Sequence, residues 1–132
     1  MEEEMLKRRE IKREEKEYQD NMDRAKEVAA LGSQLQESFE HNKVLSRDDA
    51  RKLDRLEKLT RKIRSDAGGS DEDEPLQNPP QQLEPAVKRL AEVSQALWKV
   101  VEKTPKRVVS ASVIEQANVL LELTHYTRKL IQ

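Results

Sequence analysis

The stretch "GGSDEDEPLQNPPQQLEP", residues 68 to 85, breaks a chain whose other residues repeat apolar side chains at helical spacing. Two glycines, a run of acids and four prolines in so short a span can neither continue a helix nor build a core. Gly68 and Gly69 read as the end of a preceding helix. Pro79 and Pro80 favour extended backbone, and Pro85 suits the first turn of a following helix, where its missing N–H costs nothing. Fully extended, residues 67 to 82 could span about 50 Å, more than the ~30 Å of a 20-residue helix. The stretch therefore reads as a flexible linker long enough to run the length of a helical domain.

Upstream of the linker, "EHNKVLSRDD" (residues 40 to 49) is a turn between two helices. Ser46 is the expected N-cap of the second, with Asp49 three residues on to close a capping box. Ala50, Leu53, Leu56, Leu59, Thr60 and Ile63 form its apolar stripe. Arg61, Lys62 and Arg64 suit its last turn, where the helix dipole favours cations. The first helix reads from residue 2 to 41, interrupted only by Gly32. Its packing stripe runs through Met22, Ala25, Val28, Ala29, Leu31, Leu35 and Phe39. Before Tyr18 the same helix, "EEEMLKRREIKREEKE", is dominated by charge. Pairs such as Glu3 with Lys7 and Glu4 with Arg8 favour helix weakly, by about 0.2–0.5 kcal/mol each. Ile11 and Tyr18 carry the stripe into this overhang at seven-residue steps through Ala25, which makes them the candidate interaction residues.

Downstream, Leu83, Val87, Leu90, Ser94, Leu97 and Val101 alternate steps of four and three. This is a heptad-like coiled-coil seam on a third helix near 84 to 103, flanked by Val93, Trp98 and Val100. The fourth helix starts at Ser110 or Ser112, Thr104-Pro105 being the alternative. Its inward residues read as Val113, Ile114, Ala117, Leu120, Leu121, Thr124, Thr127, Leu130 and Ile131. The expected fold is all-α: a four-helix bundle of two helical hairpins joined by the linker, with a protruding charged N-terminal helix. Its parts divide into an overhang at 1–18, a first hairpin at 19–66, the linker at 67–82 and a second hairpin at 83–132.

Composition agrees and excludes several functions. The 132 residues are 39% charged and carry four aromatics, Tyr18, Phe39, Trp98 and Tyr126, with a net charge of −1. Such a chain has no global field to draw it to nucleic acid or an anionic surface. The basic run at residues 7 to 13 is bracketed by Glu2 to Glu4 and by Glu14 and Glu15, as on a solvated helix. Residues 1 to 66 hold 17 basic and 17 acidic side chains, against 8 and 9 in the remainder, so the second hairpin is expected to hold the better-buried core. Without cysteine there is no disulfide and no thiolate chemistry. No apolar run reaches the ~18 residues of a membrane span, so no membrane insertion is expected. The first residues lack the apolar core of a signal peptide, and the chain as written reads as soluble and cytoplasmic.

Chemistry-bearing constellations are few. Glu122 and His125 match the Glu-x-x-His ligand pair of di-metal bundles, but such a site needs a second pair, and His41 has Ser38 at the required position. Ser70 precedes acids in a pattern that acidophilic kinases accept; those acids could equally lie near the basic end of the second helix. No nucleophile–base arrangement or phosphate loop is visible, so no catalytic residue and no cofactor are expected. The reading is a non-enzymatic helical interaction or scaffold protein, with a protein partner or a second copy as its partner. The alternative is a bundle that binds an ion or small ligand, with a nucleic-acid binder third. The stretches "LSRDDARKLDRLEKLTRKIRSDAGGSDED" and "EEEMLKRREIKREEKEY" resemble small uncharacterised bacterial helical proteins thought to be exported. That resemblance implies no activity; it implies an exported mature form whose signal preceded residue 1.

Overall fold

A computed structural model describes residues 2–70, 74–105 and 109–131. Four helices account for most of them: α1 (Glu2–Asn42), α2 (Arg47–Asp66), α3 (Leu83–Lys103) and α4 (Ala111–Ile131), with no strand among the described residues. The chain is an all-α four-helix bundle.

The ends of the helices follow from local chemistry. α1 stops where Lys43 enters the left-handed region at φ 60° and returns its N–H to the Phe39 carbonyl at 2.8 Å. Ser46 then caps α2: its hydroxyl accepts from the Asp49 N–H at 3.1 Å, and the Asp49 carboxylate accepts from the Ser46 N–H at 2.8 Å. At the other end Gly68 takes φ +91°, a conformation that a side chain disfavours. The Gly68 N–H reaches the Ser65 carbonyl at 3.0 Å and the Gly69 N–H reaches the Arg64 carbonyl at 2.9 Å, the paired bonds of a Schellman stop. Of the two starts expected for α4, Ser110 is the one used: its hydroxyl accepts from the Val113 N–H at 3.2 Å. Lys106, Arg107 and Val108, which precede that start, lie outside the described residues.

Polar pairs between helices give the topology. Arg24 meets Asp66 at 3.0 Å and Arg55 meets Glu27 at 2.8 Å, so α2 runs antiparallel to α1. The Gln95 amide donates to the Ala29 carbonyl and the Ser33 hydroxyl, both at 3.1 Å, which places α3 beside α1. Tyr18 and Asn21 share a cleft with Val101 and Thr104, so α3 is antiparallel to α1 as well. α4 lies against α2 and α3 and returns antiparallel to both, with Arg128 on Asp54 and Glu57. The order is up, down, down, up. α1 and α4 stand diagonally opposed, as do α2 and α3, so every packed pair is antiparallel and its dipoles attract. α2 and α3 run the same way, so the linker must travel the full length of the bundle between them.

That linker is partly docked. Leu76 is half-buried against the core, and the Arg89 guanidinium donates to the Asn78 carbonyl at 2.8 Å and the Gln77 carbonyl at 3.4 Å. The contact expected between the acidic run and the end of α2 falls largely on Asp71, Glu72 and Asp73, outside the described residues.

The core joins Val28 and Leu35 of α1, Leu53, Leu56 and Ile63 of α2, Val87, Leu90 and Leu97 of α3, and Ala117, Leu120 and Leu123 of α4. Leu123 is fully buried although it lies beside the stripe read from the sequence. α4 packs on both α2 and α3, which widens its buried arc. Trp98 is only half-buried, flanking Leu97 rather than sharing its depth. Arg64, expected among the solvated cations of the last turn, is 1% exposed, and its guanidinium donates to the Asn118 amide oxygen at 3.0 Å. Gly32 has a packing role too. A Cβ there would lie 2.8 Å from the Cβ of Ser94 and 3.3 Å from the Cα of Ala91, so α1 and α3 approach through its missing side chain.

Candidate functional site

α1 has 41 residues, roughly 60 Å of helix, against 20 or 21 for its three neighbours. The excess is N-terminal. Residues 2 to 13 are exposed throughout, and the first turn of α1 to touch the rest of the bundle is that of Glu14 and Glu17. The extension carries three of the five large apolar side chains left open among the described residues: Met5 at 58%, Leu6 at 63% and Ile11 at 52% exposure. The other two, Val44 and Val109, sit in turns. Of the two residues singled out by the stripe, Ile11 is on this open surface. Tyr18 is half-buried and lines a cleft at the root of the extension.

The cleft, about 220 Å³, lies where α1 leaves the bundle, beside the end of α2 and the α3–α4 turn. Its floor is apolar: Ala67, Val101 and Val113 are 8%, 4% and 3% exposed. Its described charged residues are all acidic, Glu14, Glu17 and Asp66. Asp66 is held by Arg24 at 3.0 Å and Lys62 at 3.3 Å. Asn21 also faces the cleft, and its amide oxygen is buried without a protein hydrogen bond. A buried acceptor above an apolar floor suits a small donor such as water, an ammonium group or an amide, in a volume below that of most drug-sized sites. Sequence reading passed over Asn21, yet a signal was present. Asn21 stands seven residues before Val28 and fourteen before Leu35, so it is the polar break in an otherwise buried row.

Glu122 and His125 do not face such a cleft. Glu122 is half-buried on α4; His125 is exposed and meets the Tyr126 ring edge-on, with centroids 5.9 Å apart. His41 is exposed at the end of α1. Among the described residues no three His, Asp or Glu side chains converge as a metal site would require. No described helix is long and apolar enough to cross a membrane.

Comparison with protein-family models, with curated proteins and with solved structures finds no match for the chain.

Proposed function

We propose that this chain is a non-enzymatic interaction or scaffold protein whose contact surface is the N-terminal extension of α1. One observation carries the reading: a helix continues for about three turns past its last tertiary contact while exposing Met5, Leu6 and Ile11. An isolated helix this short is marginal in water, so cover from a partner would stabilise it. The bundle then acts as the rigid base from which the extension projects. The direct test removes residues 2 to 13 and compares the truncated and full chains by oligomeric mass and by proteins recovered from native cells. The expected result is an unchanged bundle, by helicity and thermal midpoint, that has lost its partner. Identical mass and identical recovery would defeat the proposal.

A second reading, a small-ligand-binding bundle, has its own support in the buried Asn21 oxygen over the apolar floor of the cleft. Its test is calorimetric titration with small ammonium compounds and divalent cations, on the natural chain and on Asn21→Leu. Heat that disappears in the variant would favour it over the first.

A further inference from the structure

We infer that the occupant of the extension is a second copy of the same chain, docked antiparallel about Ile11, with Lys7 and Arg8 of each copy against Glu14 and Glu15 of the other. This rests on the reading of the extension as an interaction surface and goes further by naming what covers its Ile11 face.

The inference follows from the order of charges around one apolar residue. At about 100° per residue, Ile11 lies at the centre of a stripe, with Tyr18 about 20° away. Lys7 and Glu14 lie together on one flank of that stripe, and Arg8 and Glu15 lie on the other. On each flank the cation comes before Ile11 and the acid after it, at nearly equal distances. Lys7, Arg8 and Glu15 are exposed, and Glu14 is half-buried.

A two-fold axis through Ile11, perpendicular to the helix, brings each flank against the same flank of the second copy running the other way. Lys7 then meets Glu14, and Arg8 meets Glu15, once in each direction, around a central Ile11–Ile11 contact. The parallel arrangement sets opposite flanks together, so Lys7 comes level with Arg8 of the second copy and Glu14 with Glu15, and like charges oppose at both levels. The charge order therefore selects the antiparallel pair. Tyr18 already lines the cleft against the ends of the other helices, so the centre stays at Ile11 and the pairing is confined to the turns from Lys7 to Glu15 of each copy. Glu14, Glu15 and Tyr18 take part in contacts of their own at the root of the extension, and the pairing requires only that opposite charges face each other.

One apolar residue per copy and exposed ion pairs make a small interface. The dimer is accordingly weak, concentration-dependent and weakened by salt.

The test is sedimentation of the full chain over a wide concentration range at low and high salt. The expected result is a monomer–dimer equilibrium that shifts at least tenfold towards monomer at high salt. Lys7→Glu with Arg8→Glu abolishes the dimer, and so does Glu14→Lys with Glu15→Lys. An equimolar mixture of these two variants associates again, and combining all four substitutions in one chain restores self-association. Lys7 and Arg8 lie on the exposed extension and Glu14 and Glu15 at its root, so helicity and thermal midpoint are measured on every variant to certify its fold.

Orientation is read separately. The chain has no cysteine, so Lys7→Cys mixed with Glu14→Cys should form a disulfide-linked pair under mild oxidation, while Lys7→Cys alone should not. Cross-linking of Lys7→Cys with Arg8→Cys, and not with Glu14→Cys, would establish a parallel pair and overturn the inference. A full chain that stays monomeric at every concentration also overturns it. The broader reading then survives only if the full chain, and not the truncated one, recovers a different protein.

Discussion

Asp49 shows how much one side chain can hold in this molecule. It is 3% exposed, and its carboxylate accepts from the Ser46 N–H, the Ser46 hydroxyl and, at 2.7 Å, the Ser38 hydroxyl of α1. Burial pushes its pKa up, but the hydrogen bonds from Ser38 and Ser46 outweigh this and hold it below the ordinary value. A carboxyl whose folded pKa is depressed stabilises the fold fully above its unfolded value of about 3.9 and loses that contribution as pH falls through the folded value. Asp49→Asn should therefore lower the thermal midpoint at neutral pH, with a gap to the natural chain that narrows steadily below about pH 4. A gap independent of pH would mean that the charge on Asp49 is immaterial. Gly32 makes a different single-residue prediction. Alanine is a better helix former than glycine by about 1 kcal/mol. Its Cβ would nevertheless meet Ser94 at 2.8 Å. Gly32→Ala should be net destabilising, by about 1–3 kcal/mol of overpacking in urea unfolding, and Ser94→Gly should recover part of the loss.

At the scale of elements, what the sequence discloses depends on whether the cause is local. Ser46 with Asp49, Gly68 and Ser110 could be read in advance, because caps and stops act within a few residues. The stripes of α1, α2 and α3 were legible for the same reason. Leu123, Arg64 and Asn21 were not fully legible, because their surroundings come from helices far away in the chain. The Arg64 guanidinium reaches Asn118 on α4, and Asn21 faces the end of α2 and the α3–α4 turn. The linker belongs to this second group. Its composition argues for an unattached segment, yet Leu76 rests on the core and Arg89 holds two of the linker's carbonyls. Leu76→Ala should cost about 1 kcal/mol, on the scale of partly buried methylenes. Replacing residues 74 to 82 by Gly/Ser of equal length should cost at least as much in thermal or urea unfolding. If the replacement leaves stability unchanged, the docking of Leu76 contributes nothing and the linker acts through length alone.

At the scale of the whole molecule, the topology turns that length into a requirement. α2 and α3 run in the same direction on opposite corners of the bundle, so residues 67 to 82 must recover the full rise of a helix, about 30 Å, before α3 begins. Deleting residues 70 to 79 leaves six linker residues, which reach at most about 20 Å. The hairpin of α3 and α4 could then no longer fold back on its own α1 and α2. Its apolar faces would still need the same cover, and a second shortened chain can supply it by exchanging hairpins. The expected product is a dimer of unchanged helicity that persists at high salt, where pairing through the N-terminal extension is suppressed. Ser33 and Gln95 report the exchange, because they touch across α1 and α3 at 3.1 Å. With both changed to cysteine and treated with a short bifunctional thiol cross-linker, the natural-length chain should be bridged internally and run as a monomer on a denaturing gel. The shortened chain should be covalently doubled. A shortened chain that stays monomeric and is still bridged internally would show that α3 reaches its place without traversing the bundle, which the up, down, down, up order does not permit.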